Sequence, residues 1–179
     1  MSLLLATLLP GLALLALGGL FLTNNSLFTA SLRRLPRSRR AAAVFFCLGA
    51  AWFLWNVWHL SPADFGEYRK PLTFAFAIIA VLSWLYVPEF LAVRGLSILV
   101  LLAASPLLHA AYQEYEHPAR LFMVTLVFAG ILLALWLGAQ PYKLRDFIEW
   151  LYRTPGRSRA LGAACIGYGA LLSIIAFTY

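Results

Sequence analysis

Six runs of apolar residues separated by short polar segments dominate the chain. They cover residues 1–22, 41–60, 71–87, 95–111, 121–139 and 160–178, and none contains Asp, Glu, Lys or Arg. A helix that crosses a bilayer needs about 20 predominantly apolar residues, with a range of roughly 17–25. Strands of a membrane barrel would instead alternate apolar and polar positions over about 10 residues, and these runs do not alternate. The pattern predicts an all-α integral membrane protein built as a compact bundle of six transmembrane helices. Pro10, Pro106 and Gly130 lie inside runs, where neighbouring helices can re-satisfy the freed backbone groups. The first run has no basic residues before it and is longer than a signal-peptide core, so it reads as a retained helix.

The last polar segment carries a different period. Leu144, Phe147, Ile148 and Leu151 recur at i, i+3, i+4 and i+7, with Lys143, Asp146, Glu149 and Arg153 mostly around the other side. This predicts a short amphipathic helix over 142–154 on the cytoplasmic surface, opened after Pro141 and closed by Pro155–Gly156. No polar segment is long enough to bury a core of its own. Residues 1–179 therefore read as one polytopic membrane domain.

Composition sharpens the class. Of 179 residues, 63% are apolar and 12% charged, against about 45–50% and about 25% in soluble domains. A soluble domain, a disordered segment and a disulfide scaffold are all excluded. The placement of charge then sets orientation. Most of the 14 basic residues lie in the first, third and fifth polar segments: Arg33, Arg34, Arg37, Arg39 and Arg40, then Arg94, then Lys143, Arg145, Arg153, Arg157 and Arg159. The second and fourth hold only Arg69, Lys70 and Arg120. Basic residues concentrate on the cytoplasmic side. Both termini are then expected outside the cytoplasm, in a membrane of the bacterial inner (plasma) type. Trp58, Trp84, Tyr86, Tyr112, Tyr115, Trp136 and Tyr142 fall near run ends, as interfacial aromatics do.

Candidate chemistry is sparse. No run holds an ionisable side chain other than histidine or cysteine and the occasional tyrosine, which argues against proton relays, ion-coupled transport and voltage sensing. The cluster Arg33, Arg34, Arg37, Arg39 and Arg40 is suited to anionic lipid headgroups, each charge near such a surface contributing about 1 kcal/mol. Its simpler reading is a topology determinant. Nothing interleaves these arginines in the manner of a nucleic-acid site, so no nucleic-acid partner is expected. His59 and His109 end two runs on the outer side, and His117 follows in the fourth polar segment near Glu114 and Glu116. Two imidazoles on different helices could hold a haem axially, and three could hold zinc or copper. No metal-binding spacing accompanies them, and no cofactor is expected. Cys47 and Cys165 read as small buried hydrophobes. Ala160, Ala163, Ala164 and Gly167, with Gly162 and Gly169, would let the last helix approach a neighbour closely.

These features point to a non-catalytic multi-pass membrane protein, an accessory, scaffold or assembly subunit that contacts anionic lipid and other membrane subunits or itself. The alternatives are a redox, metal or haem protein using the outer histidines, and an oligomeric channel.

Overall fold

The computed structural model describes residues Met1–Tyr179 and contains eight α-helices joined by turns and short 3-10 segments. Six are long and apolar enough to cross a membrane: α1 (Leu3–Thr23), α3 (Arg39–Trp58), α4 (Arg69–Tyr86), α5 (Leu91–Ala111), α6 (Arg120–Ala139) and α8 (Pro155–Ala176). The other two, α2 (Ser26–Arg34) and α7 (Tyr142–Leu151), are short and amphipathic.

Local chemistry sets the helix ends. Ser2 Oγ accepts from the Leu5 amide at 3.4 Å to open α1, and Asn24 closes it in the left-handed region at φ 45°, a conformation asparagine tolerates better than most residues. Asn25 caps α2 by accepting from the Leu27 amide at 2.9 Å. Ser38 caps α3 by accepting from the Ala41 amide at 3.2 Å. These side chains satisfy amides that a helix start leaves without partners.

Several boundaries depart from the sequence pattern. α5 begins at Leu91 and carries Arg94 within it, and α4 takes in Arg69 and Lys70. Apolar runs report where charge is absent, but a helix continues while its backbone bonds are satisfied and long basic side chains can reach away from its axis. α7 stops at Leu151, and Pro155–Gly156 begins α8 instead of closing α7. Proline at the first helical position costs no hydrogen bond and has a helical φ already. The arginine-rich segment is also more ordered than a loop, because part of it is α2.

Small residues govern how the long helices pair. α1 and α8 run antiparallel in close contact, and a Cβ added at Gly18 would lie 2.7 Å from the Gly162 carbonyl oxygen. One added at Gly169 would lie 2.8 Å from the Gly11 carbonyl oxygen. α3 and α5 run parallel, with Gly95 against the Phe46 backbone and Gly49 on Ile98. Leu3, Ala6, Ala104, Ala111, Met123, Val127 and Leu172 form the main core cluster, where α1, α5, α6 and α8 meet. The Tyr168 hydroxyl donates to the Phe122 carbonyl at 2.9 Å, tying α8 to α6.

Among the six long helices, α4 lies at the edge. α4 packs chiefly along α3, through an edge contact of Phe53 with Phe76 and a tilted contact of Phe46 with Trp84. It buries no residue. Phe74, Ile78 and Leu85 are 68%, 59% and 63% exposed. α4 has no glycine of the kind that lets α1 and α8 interlock.

Candidate functional site

The two ends of the helix array differ in charge. One end gathers α2, α7, the start of α3, the turn between α4 and α5, and the start of α8. It carries all five arginines of the first polar segment. The other end holds the turns at 59–68 and 112–119 beside the chain termini, and His117 packs edge-on against Tyr179 with ring centroids 5.2 Å apart.

The histidines occupy this second end. His59 follows the last residue of α3, its Nδ1–H donates to the Trp55 carbonyl at 2.8 Å, and its ring lies over that of Trp55 at 4.3 Å. The carbonyl can only accept, so Nδ1 carries a proton. His109 is exposed one turn before the end of α5, while His117 is half-buried. The parallel register of α3 and α5 brings His59 and His109 to the same level. No group of three or more His, Cys, Asp or Glu side chains is placed to hold a metal ion. Nearby, Arg120 Cζ lies 4.8 Å from the Tyr115 ring centroid, and Arg120 Nη1 and the Tyr179 hydroxyl are buried without partners.

At the basic end the arginine cluster divides. Arg33 lies over the Tyr152 ring at 5.8 Å, linking α2 to the segment after α7. Arg37 lies over the Phe90 ring at 5.8 Å, linking the 3-10 turn before α3 to the start of α5. All five arginines are exposed, and Arg34 and Arg40 make no such ring contact. None of the five pairs with a carboxylate, because the one ion pair in the chain joins Arg145 to Asp146 at 2.8 Å. That pair is exposed, and the hydrogen bond and charge of Asp146 raise the Arg145 guanidinium above its already high range. On the same end, Arg157 stacks on Trp150 at 4.5 Å and donates to its carbonyl at 3.1 Å.

A cleft of about 320 Å³ opens between the first turn of α3, the end of α4 and the start of α5. Arg37 and Arg39 line one side, and Trp84, Leu85 and Leu91 the other. Sequence reasoning identified both arginines but not their partners. Trp84, Pro88, Glu89 and Phe90 come to them only through the register of α3 on α5. The break at Pro88 was the one local signal that a turn lay there.

The cysteines differ from expectation. Both are free, Cys47 is exposed on α3 and Cys165 is partly buried. Gly162 and Gly169 are buried against α1, whereas Ala160, Ala163, Ala164 and Gly167 are exposed on another side of α8. The chain matches no family model, no curated protein and no solved structure.

Proposed function

We propose that the chain is an integral membrane protein whose basic end faces the cytoplasm, and that it acts as a non-catalytic scaffold or accessory subunit. The observation that carries this reading is α4. It is a helix of 18 residues with no buried side chain, so in water it would expose an apolar surface along its whole length. Large exposed apolar patches mark membrane or protein contacts. In a bilayer that surface is solvated by acyl chains, and part of it is free to seat another membrane helix. The residues where α1, α5, α6 and α8 meet are apolar, which suits a structural role. The basic end, with α2 and α7 along it, matches a leaflet rich in anionic headgroups.

Isolation from native membranes tests both parts. The protein should remain in the pellet after alkaline carbonate washing, and should co-elute in mild detergent with a membrane polypeptide in fixed proportion. Release by carbonate would overturn the membrane reading. A haem absorption band or tightly bound metal in the purified protein would replace the scaffold with a redox or metal protein at His59 and His109.

A further inference from the structure

The cleft at the start of α3 has two chemically different walls. Arg37 and Arg39 supply positive charge, and no carboxylate lies within ion-pair distance of either. Arg37 is held over Phe90, a contact that orients the guanidinium without neutralising it. The backbone amides of Arg39 and Arg40, in the first turn of α3, have no acceptor in the chain. From α4 and α5 come Trp84, Leu85, Leu91 and Ala92, with Ala42 of α3 one turn beyond Arg39. This apolar lining continues along the exposed apolar length of α4. Pro36 and Pro88 restrict the two turns that frame the opening. Glu89 stands with Arg37 and Arg39 around an adjoining hollow of about 330 Å³ and is the one acidic side chain there.

We propose that this cleft binds the phosphate headgroup of an anionic phospholipid, with an acyl chain laid along α4. Arg37 and Arg39 hold the phosphate, Trp84 sits at the headgroup level, and Leu85 and Leu91 contact the first carbons of the chain. A soluble anion would use the arginines but leave the apolar wall wet, whereas a lipid matches both. The inference rests on the membrane reading above. It goes beyond a diffuse basic surface, because it assigns binding to Arg37 and Arg39 in particular. Arg33, Arg34 and Arg40, which do not line the cleft, contribute only general attraction to the leaflet. Glu89 works against the bound phosphate and limits its affinity.

The test uses the full chain in nanodiscs made of equal parts phosphatidylglycerol and phosphatidylcholine. Lipid retained after transfer to detergent is counted by native mass spectrometry, for the unaltered protein, R37Q/R39Q, E89Q, and R153Q/R159Q. The last variant removes the same charge from the same end, away from the cleft. Retention of phosphatidylglycerol should fall roughly thirtyfold in R37Q/R39Q, in line with about 1 kcal/mol for each of the two lost charges. It should rise in E89Q and fall much less in R153Q/R159Q. Equal losses in the two double variants would overturn the site in favour of a diffuse surface, while leaving the membrane reading intact. Failure of the unaltered chain to enter nanodiscs would instead overturn the membrane reading itself. Inorganic phosphate provides the other arm. If it raises the melting temperature of the unaltered protein in pure phosphatidylcholine, but not that of R37Q/R39Q, the cleft is a soluble-anion site and the lipid proposal fails. Should R37Q/R39Q misfold, E89Q alone decides, since unchanged retention there contradicts a phosphate beside Glu89.

Discussion

At the scale of single residues, the absence of a side chain does as much as its presence. Gly18 faces backbone across the α1–α8 contact: an added Cβ would meet the Gly162 carbonyl oxygen at 2.7 Å and the Ile166 amide nitrogen at 2.9 Å. Backbone atoms cannot rotate away, so the helices would have to part. Gly11 is a milder case, because its nearest neighbour, at 2.8 Å, is the Ser173 hydroxyl, which can turn. Gly19 has nothing within 4 Å. Gly18→Ala should therefore destabilise the protein by about 1–3 kcal/mol, the usual range for overpacking. Gly11→Ala should cost less, and Gly19→Ala should be neutral or slightly stabilising, since alanine is the better helix former. Thermal unfolding in detergent, followed by circular dichroism, gives the order. Equal melting of Gly18→Ala and Gly19→Ala would show that the glycine contact does not hold α1 to α8.

At the scale of elements, α4 separates what the chain pattern reveals from what it hides. Its existence was legible because length and the absence of charge over 71–87 are local properties. Its position at the edge was not, because that depends on which helices offer small residues to their neighbours. The same distinction explains α2. Its nine residues are too few for a clear period, and it is steadied by contacts such as Phe21 against Phe28, with ring centroids 5.5 Å apart. In the candidate site, Arg37 and Arg39 stood out as charge beside an apolar run, but Trp84 and Glu89 lie far away in sequence and join them only in three dimensions. Gly162 and Gly169 were legible as a close-packing pair, yet the choice between them and the Ala160–Gly167 strip needed the face that meets α1. The exposed surface of α4 also makes a prediction. Ile79, 54% exposed near the middle of the helix, would be surrounded by acyl chains. Ile79→Asp should oppose insertion of α4 by roughly 2.5–3.5 kcal/mol, the cost of aspartate at a helix centre. A reporter fused after Tyr86 should then distribute between both sides of the membrane. An unchanged reporter would mean that α4 is shielded by protein or lies outside the bilayer.

At the scale of the whole molecule, the proposed orientation rests on charge at the two ends, and the fold makes it testable at sites that do not disturb packing. The alternation of α1, α3, α4, α5, α6 and α8 places the Arg33–Arg40 segment, Glu89 and α7 at one end and both termini at the other. Basic residues resist translocation, so the proposed orientation keeps the end that holds most of them in the cytoplasm. The choice of probe positions depends on local structure. Ser158 is fully buried and donates to the Pro155 carbonyl at 3.0 Å, so a cysteine there would report burial rather than sidedness. Gly156 is open, with nothing within 4 Å, and Glu116 and Thr178 are exposed. The native cysteines need replacement first, because Cys47 is exposed on α3. In a Cys47→Ala/Cys165→Ala background, Glu116→Cys and Thr178→Cys should react with a membrane-impermeant maleimide on intact cells. Gly156→Cys should react only after permeabilisation. The fold requires Glu116 and Thr178 to share a side, because the 112–119 turn packs on the C-terminus through His117 and Tyr179. Reversal of all three would keep the fold and invert the charge rule. Separation of Glu116 from Thr178 would break the arrangement of α6 and α8 itself.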